Sequence, residues 1–515
     1  MGDGQLDRRL TPMDAFFLYV ERPEAPMHVG CVSLFEGKLP FRKFVKHLEE
    51  RIHLIPRYQQ RVVPPPFSIG HPTWEFDPGF HIENHITQTT LPKPGSAEEL
   101  RAYAARMYEV PLDRDKPLWE IHVVYGLEKG RSAIVTKVHH CMIDGIAGVE
   151  LMTLVLDTVP NPCKVKKQYY APPPLPDKGQ QIYDALWDNA IGALEHWTRL
   201  QRDLAEYSGD LGPKEISSAF KEFSTTMAGF LSPIRRLPFN KPFSGKRTIA
   251  WCSISFAEAR EIRKACGGTF NDIMLSVLAG AIRSYLLEMG HSTRHETLRV
   301  LVPVNLRREN ERGKLGNRIT FLPVEVPLRI HNPVERLEVV SETMTTLKQK
   351  RVAEAINLMF EILQSAYAPI QATVVAGAAS PLGRSMLGLF SKVPPLHLIC
   401  TNVPGPQVPL YGVGRRLIEN YVFVPITLEM GITCGITTYD QRVFASIIGD
   451  EATLPDAEAL TRHFQAAFEE LRLRSEVEQE VYSSLHSANG NGAAKPISKP
   501  VPSRLPRKPR QRAKT

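Results

Sequence analysis

The stretch Val138-His139-His140-Cys141-Met142-Ile143-Asp144-Gly145 puts two imidazoles, a carboxylate and a turn-permitting glycine within eight residues. An unperturbed imidazole titrates near pH ~6.5, so it can take a proton from a hydroxyl or thiol during a reaction and return it afterwards. Neighbouring side chains on a strand point to opposite faces, so His139 and His140 cannot both face one cavity unless the strand breaks between them. One is therefore expected to do chemistry and the other to support it. Asp144, four residues past His140, could hold a ring or could turn back onto an arginine and brace the loop. Gly145 supplies backbone freedom where a side chain would crowd the turn. The residues alone also admit a pair of partly buried, hydrogen-bonding histidines. A metal is not expected, because the spacing matches neither His-Glu-x-x-His nor a cysteine-rich zinc pattern. Cys141 beside His140 makes a poor nucleophile and base pair and reads as a small apolar filler.

The elements around this stretch must place it at a strand end. Ala133 to Val138 is an apolar, β-branched run of the kind that forms a buried strand, and Ile146 to Val159 carries apolar residues at helical spacing. Rigid scaffolds commonly present reactive groups at such transitions. Upstream, the spacing predicts a short helix, a strand at Val29 to Phe35, a helix at Phe41 to Ile55, and paired strands at Ile121 to Gly126 and Ala133 to Val138. Pro117-Leu118-Trp119 reads as a strand entrance with a packed indole. Downstream, Arg247 to Phe256 reads as a strand. Thr269-Phe270-Asn271-Asp272 carries a capping pattern that opens a helix to about Leu287. Leu301 to Val304, Ile319 to Val326, His397 to Cys400, Gly431 to Thr438 and Val443 to Ile448 supply further strands.

With 515 residues, the chain exceeds what one hydrophobic core usually supports, so two domains are expected. Residues 1–160 form the first. Residues 161–245 form a linker, rich in Pro, Lys and Tyr at its start, with a helix from Ile182 to Leu204 that bridges the domains or docks on a membrane. Residues 246–475 form the second domain. Seven cysteines form no Cys-x-x-Cys and leave one odd, which suits reduced thiols in a cytoplasmic setting. The N-terminus has no apolar run behind its charges and reads as no secretory signal, so any membrane contact is expected to be peripheral.

The net charge of +8 has a single source. Residues 488–515 hold eight Lys and Arg and no Asp or Glu. Setting those eight aside from the 63 Lys and Arg leaves 55, against 55 Asp and Glu. The body is balanced, and the tail, rich in Pro, Gly, Ala and Ser, lacks the apolar residues to bury a core and is expected to be disordered. It is either a solubilising end or an attractor for anionic lipid. No nucleic acid is expected, because the body offers no second basic footprint.

The His-His-x-x-x-Asp-Gly pattern about 140 residues into the chain resembles that of the bacterial wax ester synthase/diacylglycerol acyltransferase family, relatives of chloramphenicol acetyltransferase and of peptide-synthetase condensation domains. Leu10-Thr11-Pro12-Met13-Asp14-Ala15-Phe16-Phe17, Pro26-Met27-His28-Val29-Gly30, Pro117-Leu118-Trp119, Asn271-Asp272 and Thr401-Asn402-Val403-Pro404-Gly405-Pro406 are similar to other segments of that family. The resemblance spans residues about 10 to 475. It implies an α/β fold of the α+β sandwich type, with two chloramphenicol-acetyltransferase-like domains and a tunnel at their junction. It further implies an acyltransferase with acyl-CoA as co-substrate and no cofactor, making triacylglycerol from diacylglycerol without a covalent acyl-enzyme. Long-chain alcohols, giving wax esters, are the competing acceptors, and a non-catalytic lipid-binding protein is the alternative of another class. His140 would be the general base, His139 and Asp144 would complete the catalytic set, and Gly145, Pro117, Leu118, Trp119, Asn271 and Asp272 would support the site. The expected location is cytoplasmic, at the periphery of the inner membrane or of lipid inclusions.

Overall fold

The computed structural model describes residues 8–65, 71–142, 152, 155–162, 165–168, 170–177, 179–184, 187, 198, 234–305, 319–349, 352, 353, 356, 396–427 and 429–488. Two six-stranded sheets dominate them. The first half supplies helix α1 (Pro12–Val20), strand β1 (His28–Phe35), α2 (Phe41–Glu49), β2 (Gln60–Val63), β3 (Thr73–Phe76), β4 (Ile86–Thr90), α3 (Ala97–Glu109), β5 (Trp119–Tyr125) and β6 (Ser132–His139). The second supplies β7 (Arg247–Ser255), α4 (Phe256–Cys266), α5 (Phe270–Glu288), β8 (Thr297–Asn305), β9 (Ile319–Pro327), α6 (Pro333–Gln349), β10 (Leu398–Pro404), β11 (Tyr411–Gly412), β12 (Arg415–Phe423), β13 (Ile432–Tyr439), β14 (Arg442–Asp450) and α7 (Ala457–Ala488).

The first sheet runs β11-β12-β1-β6-β5-β4 and the second β7-β14-β13-β10-β8-β9. The strands read from apolar runs are all present. What differs is β11 and β12, which come from residues 411–423 yet complete the first sheet, with β12 antiparallel to β1. The division at residue 246 therefore does not separate the sheets. The polar pair Glu419-Asn420 interrupts the apolar run of β12, which hides it from a reading by periodicity. The expected helix at Phe41 to Ile55 stops at Glu49, and Ile52–Leu54 and Pro56–Gln59 form short 3-10 turns instead. Pro56 lacks the N–H that a continuing helix needs. Of the helix expected from Ile182 to Leu204, 182–184, 187 and 198 are described and are helical, and the rest of it, like the basic tail beyond residue 488, lies outside the described residues.

α5 packs as the expected Thr269 cap requires: the Thr269 hydroxyl accepts from Asp272 N–H at 3.2 Å, and the Asp272 carboxylate accepts from Thr269 N–H at 2.8 Å. The helix is long and apolar enough to cross a membrane by composition, but it is buried as the spine of the second core, among residues of β8, β9, α6 and α7. The first core draws on both halves. Tyr421, Phe423, Tyr439 and Phe444 join Val32, Phe35, Trp119 and Val135 in it.

Candidate active site

β6 ends at His139, and His140–Met142 leaves it as one 3-10 turn. The two rings lie in different surroundings. Each backbone N–H at the break has a fixed acceptor: His139 N–H donates to Leu118 C=O at 2.9 Å and His140 N–H to Met27 C=O at 2.8 Å. Leu118 is fully buried, so the Pro-Leu-Trp element acts on the histidines through its main chain.

His140 lines a cavity of about 570 Å³. The walls come from both halves of the chain, with Val29, Thr136 and Trp119 on one side and Phe321, Ile399 and Val403 on the other. The imidazole lies flat on Phe17 of α1, with ring centroids 3.8 Å apart and planes 14° from parallel. α1 is started by Thr11, whose hydroxyl accepts from Asp14 N–H at 3.1 Å, and Pro12 follows in the first turn. Burial disfavours the imidazolium and, with His139 beside it, holds the His140 pKa down at about 4. The ring is thus neutral at pH 7. Its Nδ1 faces the residue's own carbonyl short of hydrogen-bond geometry.

His139 looks the other way. Its Nδ1 accepts from Cys141 N–H at 3.1 Å, which leaves the ring proton on Nε2, 3.3 Å from Glu21 Oε1 and short of full hydrogen-bond alignment. Glu21, the C-cap of α1, also accepts from Met27 N–H at 3.0 Å and pairs with Arg114 at 2.7 Å. Burial raises the Glu21 pKa, but His139, Arg114 and Met27 N–H outweigh it and hold the carboxyl well below the usual carboxylate range. The Glu21 carboxylate therefore grips both strands of the turn. It reaches Cys141 through the His139 ring and His140 through the Met27 peptide. His28 completes the cluster, 3.9 Å from Glu21, with its pKa held at about 3 by burial and by Lys137.

The other expected residues fall into three groups. Trp119 lines the cavity, donates from Nε1 to Tyr58 C=O at 2.8 Å and stacks on His85 at 4.5 Å, while Pro117 and Leu118 lie buried beneath. Asn271 and Asp272 do not line the cavity. Asp272 serves the α5 cap and accepts from Ser341 Oγ at 3.3 Å. Asp144 and Gly145 lie outside the described residues. Glu21 and Phe17 are the residues that a reading of the motif alone misses, because they act from about 120 positions upstream. The signal for them is an apolar helix closed by a glutamate just ahead of Met27-His28. Among the described residues no three His, Cys, Asp or Glu side chains gather in a way that could hold a metal ion.

The geometry has counterparts in known proteins. The wax ester synthase/diacylglycerol acyltransferase catalytic domain matches residues 10–274, and the C-terminal domain of the same family matches residues 315–472. The chain is 28% identical over 463 residues to the probable diacylglycerol O-acyltransferase tgs1 of Mycobacterium tuberculosis, covering 89% of this chain and 94% of that one. Its fold is similar to the wax ester synthase/diacylglycerol acyltransferase from Marinobacter aquaeolei VT8, with a TM-score of 0.62 at 23% identity over 91% of this chain and 100% of that one. It is also similar to the starter condensation domain of rhizomide synthetase in a complex with C8-CoA, with a TM-score of 0.53 at 13% identity over 91% and 95% of the two chains. A neutral histidine at a strand end, facing a cavity shared by two sheets, thus stands in a chain that belongs to the wax ester synthase/diacylglycerol acyltransferase family.

Proposed function

We propose that the protein transfers a long-chain acyl group from acyl-CoA to the free hydroxyl of diacylglycerol, giving triacylglycerol and CoA. The observation that carries this reading is the neutral imidazole of His140 on a large, mostly apolar cavity. An alcohol is far too weak an acid to ionise first, so its proton must leave as the oxygen attacks. His140 takes that proton while the hydroxyl oxygen bonds to the thioester carbonyl carbon. The tetrahedral centre then collapses, the C–S bond breaks, and the proton passes from His140 to the departing sulfur. No acyl-enzyme forms, and no cofactor or metal is needed beyond the co-substrate. Glu21 and His139 hold the turn.

Support for acyl-CoA comes from the condensation domain of the same fold solved with C8-CoA, and support for diacylglycerol from the relatives that bear that name. Both substrates are lipidic, so the protein works at the periphery of a membrane or lipid inclusion on the cytoplasmic side. Tyr183 and Trp187, stacked at 6.3 Å and left 60% and 55% exposed, suit such an interface, as do the eight basic residues of the tail.

The test offers purified protein labelled acyl-CoA with diacylglycerol, with hexadecanol or with no acceptor. Labelled triacylglycerol is expected, with CoA release dependent on acceptor. CoA release without acceptor, or transfer to hexadecanol alone, would refute the proposal. Removing residues 488–515 is expected to weaken binding to anionic vesicles at low salt and to leave turnover on detergent-dispersed substrate unchanged.

A further inference from the structure

The cavity wall formed by the first sheet is apolar except at one place. Thr136 on β6, Cys31 and Ser33 on β1, and Asn420 on β12 all line the cavity and touch one another. Cys31 Sγ lies 3.2 Å from Thr136 Oγ1 and 3.4 Å from Ser33 Oγ, and Ser33 Oγ donates to Asn420 Oδ1 at 2.7 Å. Asn420 is 1% exposed. Among the described residues no hydrogen bond leaves its Nδ2, so the chain of hydrogen bonds runs along the wall and ends at an amide donor on the cavity. An amide donor that faces an apolar cavity costs stability unless something in the cavity satisfies it.

Register fixes how far this donor stands from the base. His28 pairs with His139, whereas Ser33 pairs with Asn420, five residues further along β1. At ~3.3 Å per residue that is about 17 Å along the strand. The ester oxygens of a diacylglycerol stand only five or so bonds from its attacking hydroxyl, and an extended chain gains ~1.2 Å per bond. Those oxygens fall well short. An atom that reaches Asn420 while the reacting carbon sits at His140 lies about ten to fourteen bonds away, in the middle of a long chain.

We infer that Asn420, oriented by Ser33, is a specificity-determining residue that reads an oxygen substituent in the middle of the fatty chain, so that mid-chain hydroxylated acyl groups are preferred substrates. A hydroxyl suits the place because it both donates and accepts, and so satisfies the carboxamide whichever end faces the cavity. A plain methylene chain leaves the amide unpaired. The inference rests on the proposed acyl transfer, with the acyl chain lying along β1.

The experiment compares 12-hydroxystearoyl-CoA with stearoyl-CoA as donors to the full-length protein, and in parallel measures calorimetric binding of 12-hydroxystearate and stearate. The binding arm needs no turnover, so it separates failure of this inference from failure of the acyltransferase reading. The wild-type protein is expected to favour the hydroxylated chain by about 3- to 10-fold in kcat/KM and in Kd, the scale of one buried hydrogen bond. Asn420→Leu is expected to abolish or reverse that ratio, chiefly by improving use of the plain chain. Ser33→Ala, which frees the carboxamide to rotate, is expected to narrow it. Equal use and binding of both chains by the wild-type protein would overturn the inference without need of any variant. A preference that survives in folded Asn420→Leu would overturn the role of Asn420.

Discussion

The two sheets have the same number of strands and share one cavity, yet they differ in where they bury charge. Against the first sheet lie Glu21, His28, Lys137 and His139, all with little or no exposure and all in mutual contact or close to it. The second core is a long apolar cluster around α5, and the charges buried beside it brace the fold away from the histidines: Arg247 pairs with Asp450 at 3.2 Å, and Arg336 donates to Ser276 C=O at 3.0 Å. Burying charge is expensive unless each group is paired, and a sheet that carries such a cluster gives up stability that an apolar core would keep. The lesson is a division of labour. One half spends stability to fix a histidine, and the other supplies wall and support.

The sharpest way to break this contrast is His140→Ala. Turnover is expected to fall at least ~100-fold, the usual scale of a general base, while circular dichroism and melting show a folded protein. Near-normal acyl transfer by that variant would remove the first half's claim to the chemistry. Glu21→Ala comes next. It strands the His139 ring and Arg114 and loosens both backbone contacts of the turn. A loss of ~3 kcal/mol in stability is expected from breaking the buried pair, with kcat falling up to ~100-fold if the imidazole moves by ~1 Å. Glu21→Ala with lowered stability and unchanged kcat would show that the cluster only holds the fold.

Acid sharpens the comparison further. His140 is held at about 4 and His28 at about 3, both below the unfolded value of ~6.5. Between those limits the unfolded chain binds more protons than the folded one, so stability is full above ~6.5 and declines as pH falls towards 4. The acid limb of kcat/KM is expected near pH 4, well below that of a free imidazole. A limb at pH 6 to 7 would show that the ring is more solvated than its burial implies. The smallest effect is expected in the second half. Asp272→Ala removes one side of the α5 cap and is expected to cost about 1 kcal/mol in melting experiments with no change in kcat. A collapse of activity at full stability would return the Asn-Asp element to the site.

Most of the strands and the α5 cap were legible because apolar runs and capping residues act locally. The strand end at the histidines and the different surroundings of the two rings were legible too, since two adjacent rings on a strand cannot share a face. The partner of His139 was not, because Glu21 meets it only after β1 folds beside β6. β12 escaped for a similar reason: its Glu419 and Asn420 are tolerated by neighbours far away in sequence. The Pro-Leu-Trp element was readable as packing, but its grip on His139 through the Leu118 carbonyl is a main-chain contact that side-chain types do not announce.

The placement of β12 beside β1 has a consequence for how the chain is made. A ribosome delivers β1 nearly 400 residues before β12, so throughout synthesis of the intervening chain one edge of the nascent first sheet lacks its final neighbour. An open edge of that kind is a template for pairing with other chains. Fragments that stop before residue 411, including one cut neatly after the catalytic segment, are therefore expected to aggregate when expressed alone. Supplying the remainder as a separate polypeptide offers a route to rescue, since the missing strand is the piece that closes the edge.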